Sequence, residues 1–491
     1  MRIPQRSQLQ LDCIAISQIE LNTECRHRIV PVLRALQHVH SQPDLLNRIF
    51  ELLEPDILGD ADPDQGREGM TYWQIVVLAA AKAGCNFTYD ELQDLAENHH
   101  NLRAMMQVGQ WGTESFHWAR IRDNLCRLRP ETVEELNQLI VGEGHRLEPA
   151  AVESVRGDSF VCETNVHYPT ESSLIVDGLK KILKLAPQLA VLIGFLGWRQ
   201  SKSLFRKAKK ANRELTRLKK GRNYQERLQQ GYEQLFHVTD LVLPRLQALL
   251  DAALGLLPTD EHGVPIGEAA ALCHQLTYWH AVTEHVVNTA WRRVMEGESV
   301  PNGDKLFSLF EPDTELIKRG KAAKPNEFGH QVLVIEDAVG YICHYQVLGR
   351  DEDDRDVLIP AMELLQARLE HRIQRGSFDR GFHSEENQRE LAKLLTHPCL
   401  PKPGSVQGAE QEAQATVEFR RSRQRHPGIE SAIGALQSGN GLGRCRDHSS
   451  VGYRRYVGLG VLGRNLFVLG KWLIQREAPK SEAASSKRQA A

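Results

Sequence analysis

Strand-forming sequence occurs twice in this chain, at SFVCETNV from Ser159 and again from about Leu306 onward. The stretch from roughly Ser172 to Glu298 between them has helical periodicity, opening with SSLIVDGLKKILKLAPQLAVLIGFLGW. A segment so long and so periodic is not a loop. The spacing therefore predicts an α/β domain, residues 151–475, with a helical insertion at about 172–298. Residues 1–150 read as helices with polar turns, for example MTYWQIVVLAAAKAG from Met70. In NFTYDELQDLAEN, Thr88 followed by Glu91 forms a capping box. A further helix start is expected at Thr113, with Phe116, Ile121, Leu125 and Leu128 on one face and Arg120, Arg122 and Arg127 elsewhere. That pattern fits a DNA-contacting helical domain or an ordinary bundle with solvated arginines. Further on, FGHQVLVIEDAVGYICHYQVLG places two β-rich runs around a turn at Glu336–Gly340, which predicts a hairpin in a mixed sheet. Residues 356–374 read as a helix, and 476–491 as a disordered tail.

The bulk numbers set limits without naming a function. At 491 residues the chain is long enough for several domains with ample core. Its 61 basic and 63 acidic residues give a net charge of −2, so any preference for nucleic acid must come from where charge lies. The strongest basic block is Arg199–Arg227, with twelve Lys or Arg against Glu214 and Glu226. Few opposite charges offset the self-repulsion of that block, which favours a phosphate partner over a merely solvated face. Nine single cysteines without a CxxC pair argue against zinc knuckles and disulfide frameworks. No apolar core with a small-residue cleavage site follows Met1, so a cytoplasmic location is expected. The most apolar run, Leu185 to Trp198, is too short for a bilayer span and contains Pro187 and Gln188. It is expected to be a buried helix.

Three acidic residues stand in distinctive settings: Asp158 in VRGDSFVCETNV, Asp379 in GSFDRGFHSEEN and Glu430 in RHPGIESAIGAL. They are separated by 221 and 51 residues (379 − 158 and 430 − 379), so only a folded domain can gather them. Asp158 is expected at the start of a strand. Asp379 follows a short extended segment and precedes a glycine turn, where it can reach out of a sheet edge or simply cap the turn. Glu430 falls in the first turn of a helix whose Ile429, Ile433 and Leu436 face a core, so its carboxylate points away from them. The helix macrodipole alone would also favour an acid there. Arg420, Arg421, Arg423 and Arg425 just upstream suit phosphate binding. Three carboxylates beside a polyanion make chemical sense only with divalent cations.

These motifs, with KPNEFG at Lys324–Gly329, DRGF at Asp379, HPGIE and RNLFVLG, occur in an order that resembles the DDE transposases of bacterial insertion sequences, especially the ISNCY-type group. The resemblance runs from about Met70 to Leu473. It implies an RNase H-like mixed sheet preceded by an all-helical N-terminal DNA-binding domain. It also implies Asp158, Asp379 and Glu430 as catalytic, metal-binding residues. Mg²⁺ is the expected cofactor, with Mn²⁺ as a substitute. One ion is expected between Asp158 and Asp379 and a second between Asp158 and Glu430, for cleavage and strand transfer. The expected partner is double-stranded DNA, both element ends and target, held by Lys207, Lys209, Lys210, Lys219, Lys220, Arg380, Arg421 and Arg425. A homo-oligomer, at least a dimer on DNA, is expected as well. Glu163, Glu336 and Asp337 compete for a metal role. Relatives commonly carry Lys or Arg seven residues after the glutamate, where this chain has Gln437. That departure keeps open a catalytically decayed DNA-binding protein, and a purely hydrolytic nuclease on the same fold is the other alternative.

Overall fold

The computed structural model describes residues 2–6, 12–60, 62, 69–109, 114–260, 265–318, 325–404 and 407–477. The expected helix start at Thr113, Lys324 of the KPNEFG motif and residues 478–491 of the expected tail lie outside them. The chain is mixed α/β and divides into two compact units, one of residues 1–165 with 329–491 and one of residues 166–328.

In the first unit the sheet is built from β1 (Ser154–Glu163), β3 (Glu327–Asp337), β4 (Ile342–Val347), β5 (Arg375–Phe378) and β6 (His397–Cys399), the name β2 being kept for a short strand, Glu315–Ile317. Within it the order is β4-β3-β1-β5-β6, and β2 also joins the six-stranded sheet, next to β3. β1 pairs antiparallel with β3 and parallel with β5, β3 pairs antiparallel with β4, and β5 pairs parallel with β6. The antiparallel and parallel halves of the sheet therefore meet at β1. Alternation along the strands sorts side chains onto two faces. Val155, Leu333, Ile335 and Phe378 enter a core with the N-terminal helices. Phe160, Cys162, Val332, Val334 and Ile342 face a second core made with Ile429, Ile433, Leu436, Tyr453 and Val457.

The helices before residue 150 were expected as a separate domain, yet they share the first of those cores with the sheet. Their amphipathic stripes are closed by the C-terminal helix Ser449–Glu477, which packs against helices Ile29–His40, Tyr72–Cys85 and Pro130–Leu147. This C-terminal helix is long and apolar enough to cross a membrane by composition, but 72% of its most apolar window is buried inside the protein. Glycine permits the close approach: a Cβ at Gly470 would lie 1.7 Å from the Pro31 carbonyl oxygen. Local signals read from sequence account for the start of several elements. Thr88 and Glu91 form a reciprocal capping box, and Ser384 caps the helix Glu385–Leu394 by accepting from the Asn387 N–H. The hairpin turn falls where expected, between Asp337 and Ile342.

The second unit is a helical bundle with its own core. Helices Glu171–Ile193, Ser201–Thr216, Tyr224–Leu254 and Gly267–Val294 enclose Leu179, Ile182, Leu235, Leu246, Leu276 and Val286. It contains the whole of the expected insertion and extends beyond it at both ends. The apolar run Leu185–Trp198 departs from expectation, because its interior turns are buried while Val191, Leu192 and Leu196 are exposed.

Candidate functional site

Asp158 lies in the middle of β1, because the strand begins at Ser154 and not near Ser159 as expected. Valine and serine at 154–155 start the pairing early, and Gly157 is tolerated for a steric reason. A Cβ there would sit 2.7 Å from Phe378 Cε1, so the missing side chain makes room for the aromatic ring on the neighbouring strand. Asp158 is opposite Val334 in the ladder and shares that face of the sheet. Its Oδ1 accepts the Ser159 N–H at 2.7 Å.

Parallel pairing of β1 with β5 sets Arg156 beside Ser377 and Gly157 beside Phe378. Asp158 and Asp379 are the residues that follow that last pair in the two segments, and the Asp379 backbone is extended (φ −74°, ψ 167°) although β5 ends at Phe378. Asp158 is thus on β1 and Asp379 just past the end of β5. Carboxyl ends of parallel strands beside a change of strand direction are where open sheets bind ligands.

Glu430 comes to the face of β1 that carries Asp158 on the helix Gly428–Gly434, whose Ile429 and Ile433 fill the core beneath it. The carboxylate itself is exposed, as is that of Asp379. Two side chains tie the start of the helix to the sheet. Arg156 Nη1 donates to the Arg425 carbonyl oxygen at 3.1 Å, and its Nε and Nη2 both reach Glu336 Oε2, at 2.7 and 2.6 Å. His426 Nδ1 lies 3.3 Å from Ser377 Oγ. Burial holds the His426 imidazole below its ordinary pKa, while Asp379 and Glu430 both pull it upward. One histidine thus feels both carboxylates. Burial likewise raises the Glu336 carboxyl, opposed by Arg156 and by Arg464.

The acidic residues that compete for a metal are otherwise engaged. Glu336 is held by Arg156, and Glu163 pairs with Arg444 at 3.4 Å. Asp337 Oδ1 accepts the N–H groups of Val339, Gly340 and Tyr341 at 2.9, 2.8 and 3.0 Å, and Oδ2 meets His145 Nε2 at 2.8 Å. With Cys343, these two form the one trio of potential metal-ligand side chains, among the described residues, whose ligand atoms all lie within 4.8 Å of one another. Neither His145 nor Cys343 was singled out from sequence; inward alternation of Cys343 on β4 was the available signal. Both Asp337 oxygens are already hydrogen-bonded, and burial raises the Cys343 thiol well above its usual pKa. We read the trio as a clamp on the β3–β4 turn.

Asp158, Asp379 and Glu430 do not meet that single-ion criterion of closeness. Hard carboxylate oxygens on an open face suit Mg²⁺ or Mn²⁺. Of the expected DNA contacts, Arg380, Arg421 and Arg425 are exposed in the first unit. Lys207, Lys209 and Lys210 are exposed on the helix Ser201–Thr216 of the second unit, with Lys219 and Lys220 in the turn after it. Comparison with protein-family models, curated proteins and solved structures returned no match.

Proposed function

We propose that this chain is a metal-dependent DDE-type transposase that cuts and joins DNA at insertion-sequence ends, on an RNase H-like sheet. The observation that carries this reading is the register of β1 and β5. Asp158 and Asp379 each follow its last pair, Gly157 and Phe378, by one residue, and the Glu430 helix packs on the face of β1 that carries Asp158.

In this reading Asp158, Asp379 and Glu430 are the residues that would hold the divalent ions, one at Asp158 and Asp379 and one at Asp158 and Glu430. Such ions, when bound, supply Lewis acidity and a nucleophile at neutral pH. Arg156 and Ser377 position the Glu430 helix from β1 and β5. Exposed Arg380, Arg421 and Arg425 bind DNA phosphates through planar guanidinium forks. Lys207, Lys209, Lys210, Lys219 and Lys220 hold DNA through charge, with little sequence preference.

The test is the protein with Mg²⁺ and labelled DNA carrying the sequences that flank the reading frame on each side. Joined products support the transposase reading. Cuts without joining identify a hydrolytic nuclease, and retention without cutting a decayed binding protein. Asp158→Ala is expected to abolish cutting and joining and to leave DNA retention intact; surviving activity refutes the site.

A further inference from the structure

Helix Pro130–Leu147 and the β3–β4 hairpin meet at one buried polar cluster. His145 comes from the last turn of the helix, and Asp337 and Cys343 come from either side of the hairpin turn. All three are buried, and their ligand atoms lie within 4.8 Å of one another. His145 Nε2 stands 2.8 Å from Asp337 Oδ2 and 3.8 Å from Cys343 Sγ. In a tetrahedral zinc centre, bonds of about 2.0–2.3 Å set neighbouring ligand atoms roughly 3.3–3.6 Å apart, so each of these two separations is within about half an ångström of what an ion asks.

The surroundings hold the cluster in place. Tyr341 packs edge-on against the imidazole, with ring centroids 6.2 Å apart at 87°. Gly144 leaves room for that ring, since a Cβ there would lie 2.5 Å from Tyr341 Cζ. His145 Nδ1 is buried and has no hydrogen-bond partner among the described residues, which a clamp made only of hydrogen bonds does not explain. His145 and Cys343 also line a cavity of about 530 Å³ with Arg146, Arg368 and Arg372. Arg146 and Arg368 are paired with Glu143 and Glu134, which limits their repulsion of a cation.

We infer that His145, Asp337 and Cys343 form a Zn²⁺ site that fastens the β3–β4 hairpin to helix Pro130–Leu147, with water from the cavity at the fourth position. The donor set decides the ion: one sulfur, one imidazole nitrogen and one carboxylate oxygen suit Zn²⁺ and exclude Mg²⁺. Burial alone raises the Cys343 thiol, and a dication beside it works the opposite way, because a coordinating thiol gives up its proton outright. Zn²⁺ with a thiolate, a carboxylate and a neutral imidazole is a neutral centre, so it carries no net charge into the interior. Clamp and metal site use the same atoms without conflict. Asp337 Oδ1 keeps the N–H groups of Val339, Gly340 and Tyr341, and Oδ2 exchanges His145 for the ion. None of Asp158, Asp379 and Glu430 belongs to this site, and the inference does not depend on the transposase reading.

The test is Co²⁺, a spectroscopic substitute for Zn²⁺, titrated into the full chain after treatment with a chelator. Wild type and Asp158→Ala are both expected to show thiolate-to-cobalt charge-transfer absorption that saturates at one equivalent and disappears when Zn²⁺ is added. Cys343→Ser is expected to lose the band, and His145→Gln to bind Co²⁺ at least about tenfold more weakly, each with unchanged circular dichroism. Free Zn²⁺ at about a hundredfold excess over its dissociation constant should raise the wild-type melting temperature by roughly 4 °C for a unit of this size, and that of Cys343→Ser by under about one degree. No charge-transfer band in the wild type overturns the inference, as does a band retained in folded Cys343→Ser. If Cys343→Ser does not fold, His145→Gln decides, and an unchanged Co²⁺ affinity in that variant overturns the inference.

Discussion

Arg156→Met removes the guanidinium that holds Glu336 and keeps most of the aliphatic stem. Glu336 has only 3% of its side chain exposed, and its other basic neighbour, Arg464, stands 3.9 Å away. Orphaning one partner of a buried ion pair costs about 3–5 kcal/mol. Spread over a unit of about 330 residues, at ~2.1 cal/mol/K per residue, that lowers the melting temperature by roughly 4–7 °C at neutral pH. The sign of the pH dependence follows from the raised pKa of Glu336. A carboxyl raised by burial contributes full stability below its unfolded pKa and loses it as pH rises through the folded value. Without Arg156 to oppose burial, the folded value moves further up. The gap between variant and wild type should therefore narrow at acidic pH, where Glu336 takes up its proton. The double variant Arg156→Met/Glu336→Gln, with no charge left to orphan, should recover most of the loss at neutral pH. Differential scanning calorimetry of the three proteins at both pH values decides the matter. A single variant within one degree of wild type, or a double variant no better than the single, refutes the reasoning.

The basic segment gives a salt signature. If Lys207, Lys209, Lys210, Lys219 and Lys220 neutralise about five phosphates, log affinity falls against log salt with a slope of roughly −4 to −5 in fluorescence anisotropy. Replacing all five by Gln should flatten it; a salt-insensitive complex removes the segment from DNA binding. Gln437→Lys is expected to leave DNA affinity unchanged within about twofold, since position 437 faces the Val161 carbonyl oxygen at 3.5 Å. A marked gain in affinity would show that the side chain faces phosphate instead. Among the cysteines, exposed Cys25 should react with a thiol reagent in the native state. Cys162, pushed up to about 12 by burial, and Cys343 should react only on unfolding, because the thiolate is the nucleophile. Native labelling of either would show that its core opens.

Sequence made the local devices legible because each is written in neighbouring residues. The capping box at Thr88 and the hairpin turn after Asp337 need only four or five positions each to be recognised. The start of β1 was hidden for the converse reason. Arg-Gly-Asp at 156–158 has poor strand propensity, and its fitness for a strand depends on Phe378 and Glu336, both far away in sequence. Helix Asp354–Arg368 stops short of the expected residue 374 because Glu370 and His371 adopt left-handed backbone conformations, φ 55° and 57°. Neither residue type announces that. Amphipathic stripes in the first 150 residues showed which side of each helix is apolar, but not that the C-terminal helix and the sheet would cover them.

The same distinction bears on Gln437. A phosphate-binding residue seven positions after Glu430 shares its face only if the helix runs unbroken at 3.6 residues per turn. Here the α-helix ends at Gly434 and continues as a π-helix through Ala435–Gly439, which shifts every later side chain around the axis. Gln437 is turned toward the β1 backbone, and a lysine at that position would meet a strand carbonyl. Exposed arginines occur instead on the helix Val417–Arg425, ahead of Glu430 in the chain and joined through the Arg425 carbonyl to Arg156. Phosphate contact by that helix would use a different side of the same carboxylate. Glutamine at 437 is then the consequence of a local change in helix geometry, and by itself gives no ground for reading the site as decayed.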